Sequence, residues 1–393
     1  MTVGPERLER LVDFRRELHR HPELGFQEQE TARRVQEQLD ALGVAYEAGI
    51  GGTGIVAWLQ GRGGPAAAAV GLRADMDALP LEEHSGVPYA SVNPGRMHAC
   101  GHDGHTTMLL GAIEELQARD DFAGTVYFVF QPAEEGVGGG KAMVGEGLFQ
   151  RFPMDEIYAL HNWPGLPVGR FGLIPGPIMA SGDRVDITIR GRGGHGGMNP
   201  HGCIDPVRIA ADLIQRAHTI VSREVDPLQP AVLSICAVQS GDLAGFNVIP
   251  DTAVLSGTLR ALDPAVGERL RQSLRGLCES LAQYHGATID VRIDDTFLVT
   301  MNDPDATELG RDVIRRRYGE DTLQAGHQPS MGSEDFSFML NECRGAYVHV
   351  GSRDDEHRQP LHSQEYDFND RIIPTGIELL SGLAMESLAR RRS

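Results

Sequence analysis

Four short apolar runs, residues 55–59, 66–72, 125–130 and 157–160, constrain this chain more than any other feature. Each is unbroken and bounded by turn residues, so a strand formed there has to be covered on both faces. Helical patterns lie around them. Leu8, Leu11, Val12, Phe14, Arg15 and Leu18 recur at helical spacing, a second pattern runs over 28–42 and stops before Gly43, and a third covers 106–116. Buried strands alternating with helices predict an α/β fold on a mostly parallel sheet. From about Gly182 the period changes: Val185, Ile187 and Ile189 alternate with polar residues, as in a half-buried strand. A helix at 205–221, strands at 231–239 and 252–259, a helix at 265–284 and a strand at 288–293 follow. That β-α-β-β-α-β order predicts a ferredoxin-like two-layer α+β unit, 182–294, inserted into a larger domain made of 1–181 and 295–393.

Bulk properties narrow the partners. The chain has 393 residues, 41% of them hydrophobic, enough for two or three domains with a large core. Its formal net charge of −19 opposes phosphate, so neither nucleic acid nor an anionic membrane is an expected partner. Residues 1–10 carry no apolar leader, and no stretch approaches the ~18 apolar residues of a membrane span. The five cysteines, Cys100, Cys203, Cys236, Cys278 and Cys343, are an odd set without short-range pairing, which fits a reducing, cytoplasmic setting.

Ligand sites in open α/β sheets lie just beyond the carboxyl ends of strands. Asp75 and Asp77 follow the second apolar run, Glu134 and Glu135 the third, and His161 the fourth. The loop before the 106–116 helix reads Met97-His98-Ala99-Cys100-Gly101-His102-Asp103-Gly104-His105. Any one of these groups alone is ordinary: an Asp after a strand caps a helix or makes a turn, and a lone His is a hydrogen-bonded residue. Crowded at one rim, however, carboxylates repel each other unless a cation sits among them. Mixed O, N and S donors suit zinc, manganese or another borderline first-row ion, with Cys100 bound as thiolate.

Adjacent glutamates fit amide hydrolysis. Such a reaction needs a cation to acidify water and a base to carry the water's proton to the departing amine. Two consecutive carboxylates in a tight loop, here between Pro132-Ala133 and Gly136, can point one to the metal and one to the water.

Ordered motifs over nearly the whole chain resemble the M20 metallopeptidases, above all the amidohydrolase branch of hippurate, N-acyl-L-amino acid and auxin-conjugate hydrolases. They are Leu18-His19-Arg20-His21-Pro22-Glu23-Leu24-Gly25-Phe26, Leu72 to Pro80, Met97 to Thr107, Gln131 to Gly136, His161-Asn162, Gly193-Gly194-His195-Gly196, Asn247-Val248-Ile249-Pro250, Gly332-Ser333-Glu334-Asp335-Phe336 and Leu361-His362-Ser363. The resemblance implies two divalent metal ions per subunit, held by Cys100, His102, Glu135, His161 and His362, with zinc, manganese, nickel and cobalt all open. It implies Glu134 as general acid/base and the inserted domain as a lid and dimerisation module. His195 looks like a lid histidine that reaches a neighbouring subunit's site and stabilises the oxyanion. Asn247 and Arg260 look like groups that hold a substrate carboxylate. Many members of the wider superfamily have histidine where Asp75 stands; here Asp75 and Asp77 are expected to orient ligands rather than bind, and His105 to do likewise or to cap the helix. The chemical role of His21-Pro22-Glu23 does not follow from the sequence. The implied activity is hydrolysis of N-acetyl- or N-benzoyl-type amino acids by a homodimer, or a tetramer; the alternative is a dipeptidase or aminopeptidase on small peptides.

Overall fold

The computed structural model describes residues 3–63, 68–119 and 122–390. Two compact units emerge: Met1–Ile178 with Thr300–Gln328 and Asp335–Ser393, and Met179–Val299 with Pro329–Glu334. The second unit thus begins three residues before the expected insert, runs past its end, and takes in 329–334 as well.

The first unit is built on a seven-stranded sheet. Its centre is parallel: Ala69–Asp75 lies between Thr125–Gln131 and Glu156–Pro167, and the last of these pairs with Gly345–Arg353. The rims are antiparallel, through Gly54–Gln60, Ala45–Ile50 and Phe171–Gly172. The sheet is therefore mixed, where the apolar runs suggested a mostly parallel one; the 55–59 run sits in a rim strand that turns back on its neighbour. Every residue of Ala69–Asp75 is buried, as a strand covered on both faces requires. Ala66 and Ala67, the start of that expected run, lie outside the described residues. The helices Pro5–Arg20, His102–Gln117 and Ile373–Arg390 join the same core, which includes Leu72, Phe128, Phe130, Tyr158, Val348, Met108 and Leu380. Each such large apolar side chain contributes ~1.5–3 kcal/mol by leaving water. The Gln29–Leu42 helix stops where expected: Gly43 is left-handed, at φ 65°, and its N–H returns to the carbonyls of Leu39 and Asp40.

The segment Asp370–Arg390 bears on the membrane expectation. It is long and apolar enough to cross a membrane by composition, yet 67% of its most apolar window is buried in the protein. It is a mostly buried helix of the core, with Leu379, Leu380 and Leu383 turned into it.

The second unit has the β-α-β-β-α-β order. Its sheet runs Ala231–Ser240, Thr252–Ala261, Ser181–Arg190, Thr288–Phe297, all antiparallel. The helices Pro206–Glu224 and Pro264–His285 bury Leu213, Leu270 and Leu274 against Val185, Ile187, Ile189 and Leu255. Asp205 and Asp263 cap these helices, each with proline at the first turn.

Candidate metal centre

The centre is assembled in the first unit, around the carboxyl ends of its parallel strands. Asp75 ends its strand, and Glu134 and Glu135 follow Gln131 by three and four residues. His161 differs from expectation: it lies inside the Glu156–Pro167 strand, because pairing with Gly345–Arg353 continues past it to Trp163 and, after a register shift, Pro167. The helix expected at 106 begins at His102, so His102, Asp103 and His105 are helical rather than in the loop. Gly101 makes the break, at φ 94°, and a Cβ there would come within 2.2 Å of Asn162 Oδ1.

Cys100, His102 and His161 present ligand atoms within 4.8 Å of one another, and so do Cys100, Glu135 and His362. Glu134 joins His102 and Glu135 in a third such group. Cys100 Sγ lies 3.4 Å from His161 Nε2, and His362 Nε2 lies 3.3 Å from Glu135 Oε1. Residues up to 262 positions apart thus meet in one place. His362 is held there by its own backbone, at φ 63°, with its N–H on the Ala99 carbonyl at 2.8 Å.

The outward nitrogen of both buried ligand imidazoles, His102 and His161, is already committed. His102 Nδ1 donates to the Asp77 carbonyl at 2.9 Å, and His161 Nδ1 to the Asn162 carbonyl at 2.7 Å. Both rings therefore turn an Nε2 lone pair inward. His102 Nε2 and Glu135 Oε1 are buried without a hydrogen bond among the described residues. Two orphaned acceptors beside a thiol and two more imidazoles make a donor set that fits borderline divalent ions.

Electrostatics agree. Burial opposes a proton on His102, but Asp75, Asp77 and Glu135 outweigh it and pull its pKa up to about 10, so Nε2 carries either a proton or, in its place, a cation bound through the lone pair. Burial, reinforced by Glu135, Glu134 and Asp75, pushes the Cys100 thiol well up, so its ionisation needs a cation. Burial keeps His161 well below its usual value, hence neutral and able to ligate.

Asp75 and Asp77 sit behind these groups. Asp75 Oδ1 takes the His105 Nδ1 proton at 2.6 Å and Oδ2 takes Arg73 NH1 at 2.8 Å. Asp77 Oδ2 accepts the Glu135 N–H at 2.9 Å. His105 Nε2 lies 2.6 Å from Asn162 Oδ1, and Asn162 Nδ2 donates to Tyr366 Oη at 2.7 Å. Sequence reasoning gave Asn162, Tyr366 and Arg73 no part in the site; the pairing of His161 with Asn162 was the visible signal for the first.

The His21-Pro22-Glu23 segment has a structural use. Glu23 accepts from Thr31 N (2.8 Å), Thr31 Oγ1 (2.9 Å) and Glu30 N (3.2 Å), capping the Gln29–Leu42 helix. Its carbonyl takes the Ala78 N–H at 2.8 Å, and Asn93 Nδ2 donates to Pro22 O at 3.0 Å, tying that helix to the segment after Asp77.

His195, Asn247 and Arg260 belong to the second unit. His195 pairs with Val248 across a short ladder, and its Nε2 faces Asn247 Nδ2 at 3.4 Å on an exposed loop. Gly197 and Met198 donate to His195 Nδ1, each at 3.1 Å. Arg260 is elsewhere. It stands near the far end of the Thr252–Ala261 strand, roughly 26 Å along from Thr252 at ~3.3 Å per residue.

Comparison with known proteins places these features. Residues 71–386 match the model of peptidase family M20/M25/M40. The chain is 39% identical to the hippurate hydrolase of Campylobacter jejuni over 391 residues, covering 99% of this chain and 100% of that one. It is 36% identical to thermostable carboxypeptidase 2 of Saccharolobus solfataricus, covering 93% and 92%. The crystal structure of the Bacillus subtilis YXEP protein, a dinuclear metal binding peptidase from the M20 family, superposes with a TM-score of 0.84 at 30% identity, covering 98% of this chain and 99% of that one.

Proposed function

This chain belongs to peptidase family M20/M25/M40 and is a hydrolase; from that premise we propose that it cleaves the amide bond of N-acyl amino acids, releasing a carboxylic acid and an amino acid. The observation that carries the reading is the convergence of buried Cys100, His102 and His161 with half-buried Glu135 and exposed His362 around two orphaned acceptors, with Glu134 beside them. The similarity to a hippurate hydrolase over the full length supports the acyl-amino-acid class.

Cys100, His102, Glu135, His161 and His362 would hold two divalent cations drawn from zinc, manganese, nickel or cobalt. When bound, these ions acidify water and polarise the acyl carbonyl. Glu134 takes the water's proton and delivers it to the amine nitrogen as the C–N bond breaks. Asp77 fixes the His102 tautomer and holds the Glu135 backbone, and Asp75 with His105 braces the strand end. His195 donates to the oxyanion, while Asn247 and Arg260 hold the substrate carboxylate. The span between Arg260 and the His195–Asn247 pair favours two subunits sharing one site, each giving one end of its inserted unit. A homodimer is the simplest assembly: the Ala231–Ser240 edge has no outer partner among the described residues and lies near exposed Val238, Leu243, Phe246 and Val248. All five cysteines are free, which fits a reducing cytoplasm.

The test is turnover of N-acetyl- and N-benzoyl-amino acids, alongside free dipeptides, by protein loaded in turn with each metal and analysed for metal content. Release of the amino acid from acylated substrates supports the reading. Turnover of free peptides alone would shift it to a dipeptidase or aminopeptidase, a possibility that the carboxypeptidase relative keeps in view. Two bound metals without turnover of any acylated amino acid would overturn it.

A further inference from the structure

We propose that Glu28 is a positioning residue for this reaction, holding Glu134 in place through the backbone of Ala133; the inference rests on Glu134 being the base.

Three carboxylates from distant parts of the chain clamp the turn 131–140, which carries both glutamates. Glu28 Oε1 accepts the Ala133 N–H at 2.7 Å, Asp77 Oδ2 the Glu135 N–H at 2.9 Å, and Asp335 Oδ2 the Gly140 N–H at 2.7 Å. Asp77 and Asp335 have further duties, Asp77 behind His102 and Asp335 with Gln131 Nε2 and Arg73. Glu28 has both oxygens on neutral donors: the second accepts Thr53 Oγ1 at 2.6 Å. Its side chain is fully buried. A carboxylate buried without a cation is costly unless its hydrogen bonds are made, so its placement here is specific.

What it holds is a strained residue. Ala133 has φ 51°, a left-handed conformation that costs a non-glycine residue ~1–3 kcal/mol and persists only where neighbours enforce it. Its carbonyl is used as well, taking the Gly139 N–H at 2.9 Å. The segment that carries Glu28 is bonded to the next helix and packed against the turn. The Glu28 carbonyl accepts the Ala32 N–H at 2.9 Å as the next helix starts, and a Cβ on Gly25 would stand 3.1 Å from Ala133 Cα. Glu134 is the residue after Ala133, and from the other side the Asp335 N–H reaches its Oε1 at 3.4 Å. Without the Glu28 acceptor, Ala133 relaxes and Glu134 swings, whereas Glu135 keeps its own tether on Asp77. Misplacing a reacting group by ~1 Å can cost 10²-fold in rate.

The experiment compares Glu28→Leu, Glu28→Gln and Glu28→Asp with wild type for kcat, KM, metal stoichiometry and amide exchange over 131–140. Glu28→Leu should lower kcat about 10- to 100-fold, change KM far less, keep two metals per subunit, and expose the Ala133 amide to faster exchange. Glu28→Gln still offers a carbonyl to Ala133 and should rescue most of kcat and the protection. Should the leucine variant fail to fold, Glu28→Asp, one methylene short, takes its place with the same expected split. Wild-type kcat in a folded leucine or aspartate variant overturns the proposal. So does a glutamine variant as slow as leucine, or loss of metal in step with activity. If wild type turns over no acylated amino acid, the functional reading fails, and the exchange comparison alone still decides whether Glu28 holds the turn.

Discussion

The metal-site end of the first unit and the His195–Asn247 rim of the second are built in opposite ways. In the first, His102 and His161 each have the outward nitrogen occupied, and the turn bearing Glu134 and Glu135 is held at three amides. In the second, His195 and Asn247 stand exposed on a loop, each with the other as side-chain neighbour. The candidate ligands of the first region are thus brought together by contacts within one chain. An exposed pair becomes useful only when another surface covers it and removes water.

Glu134→Ala should break the first region's chemistry alone: kcat falls by about 10²–10⁴, with metal content by elemental analysis near that of wild type. Loss of metal instead would mean that the two glutamates have exchanged roles. His195→Ala tests the rim and should lower kcat by about 10²–10³ with metals retained. Mixing these two inactive variants should restore partial activity if the rim serves a partner's site; no recovery after subunit exchange would put His195 to use in its own chain or nowhere.

A third measurement sharpens the contrast in rigidity. His19 is buried, with Nδ1 2.8 Å from Asp103 and Nε2 3.1 Å from Glu83. Burial disfavours its charge, but the hydrogen bonds to Asp103 and Glu83 outweigh that and raise its pKa to about 9. A raised folded-state pKa contributes stability that is fully present below ~6.5 and is lost as pH rises through about 9. The unfolding free energy of the first unit, read by denaturant titration, should fall across that window by on the order of 3 kcal/mol in total, and His19→Gln should flatten the profile. A profile of equal slope in the variant would remove His19 from the account. The smallest effect on folding is expected from Val238→Lys on the exposed strand edge: within about 0.5 kcal/mol in stability, but with the proposed dimer lost by light scattering. An unchanged molecular mass would rule that edge out as the interface.

Much of this was legible in the chain. The switch from unbroken runs to strict alternation near Gly182 marked a second unit, and the order of its elements followed from period alone. The chemistry-bearing residues were legible as types: a thiol, imidazoles and paired carboxylates, each tied to a strand end or a helix start. Three things were misplaced. The sheet proved mixed, because an apolar run looks the same whichever way its neighbour runs. His161 lies within a strand, and the third helix starts at His102, because both boundaries depend on pairing and packing partners far away in sequence.

What the sequence determined by itself, then, is local: which segments are strand or helix, and which donor atoms the chain can offer. These follow from side-chain period and chemistry within a few residues. Tertiary structure decided the rest: that Cys100 and His362 meet, that the Asp77 carbonyl sets the tautomer of His102, and that Glu28 reaches the amide of Ala133, 105 residues away. Those contacts have no local signature, since each is made by packing elements whose separation along the chain carries no information about their separation in space.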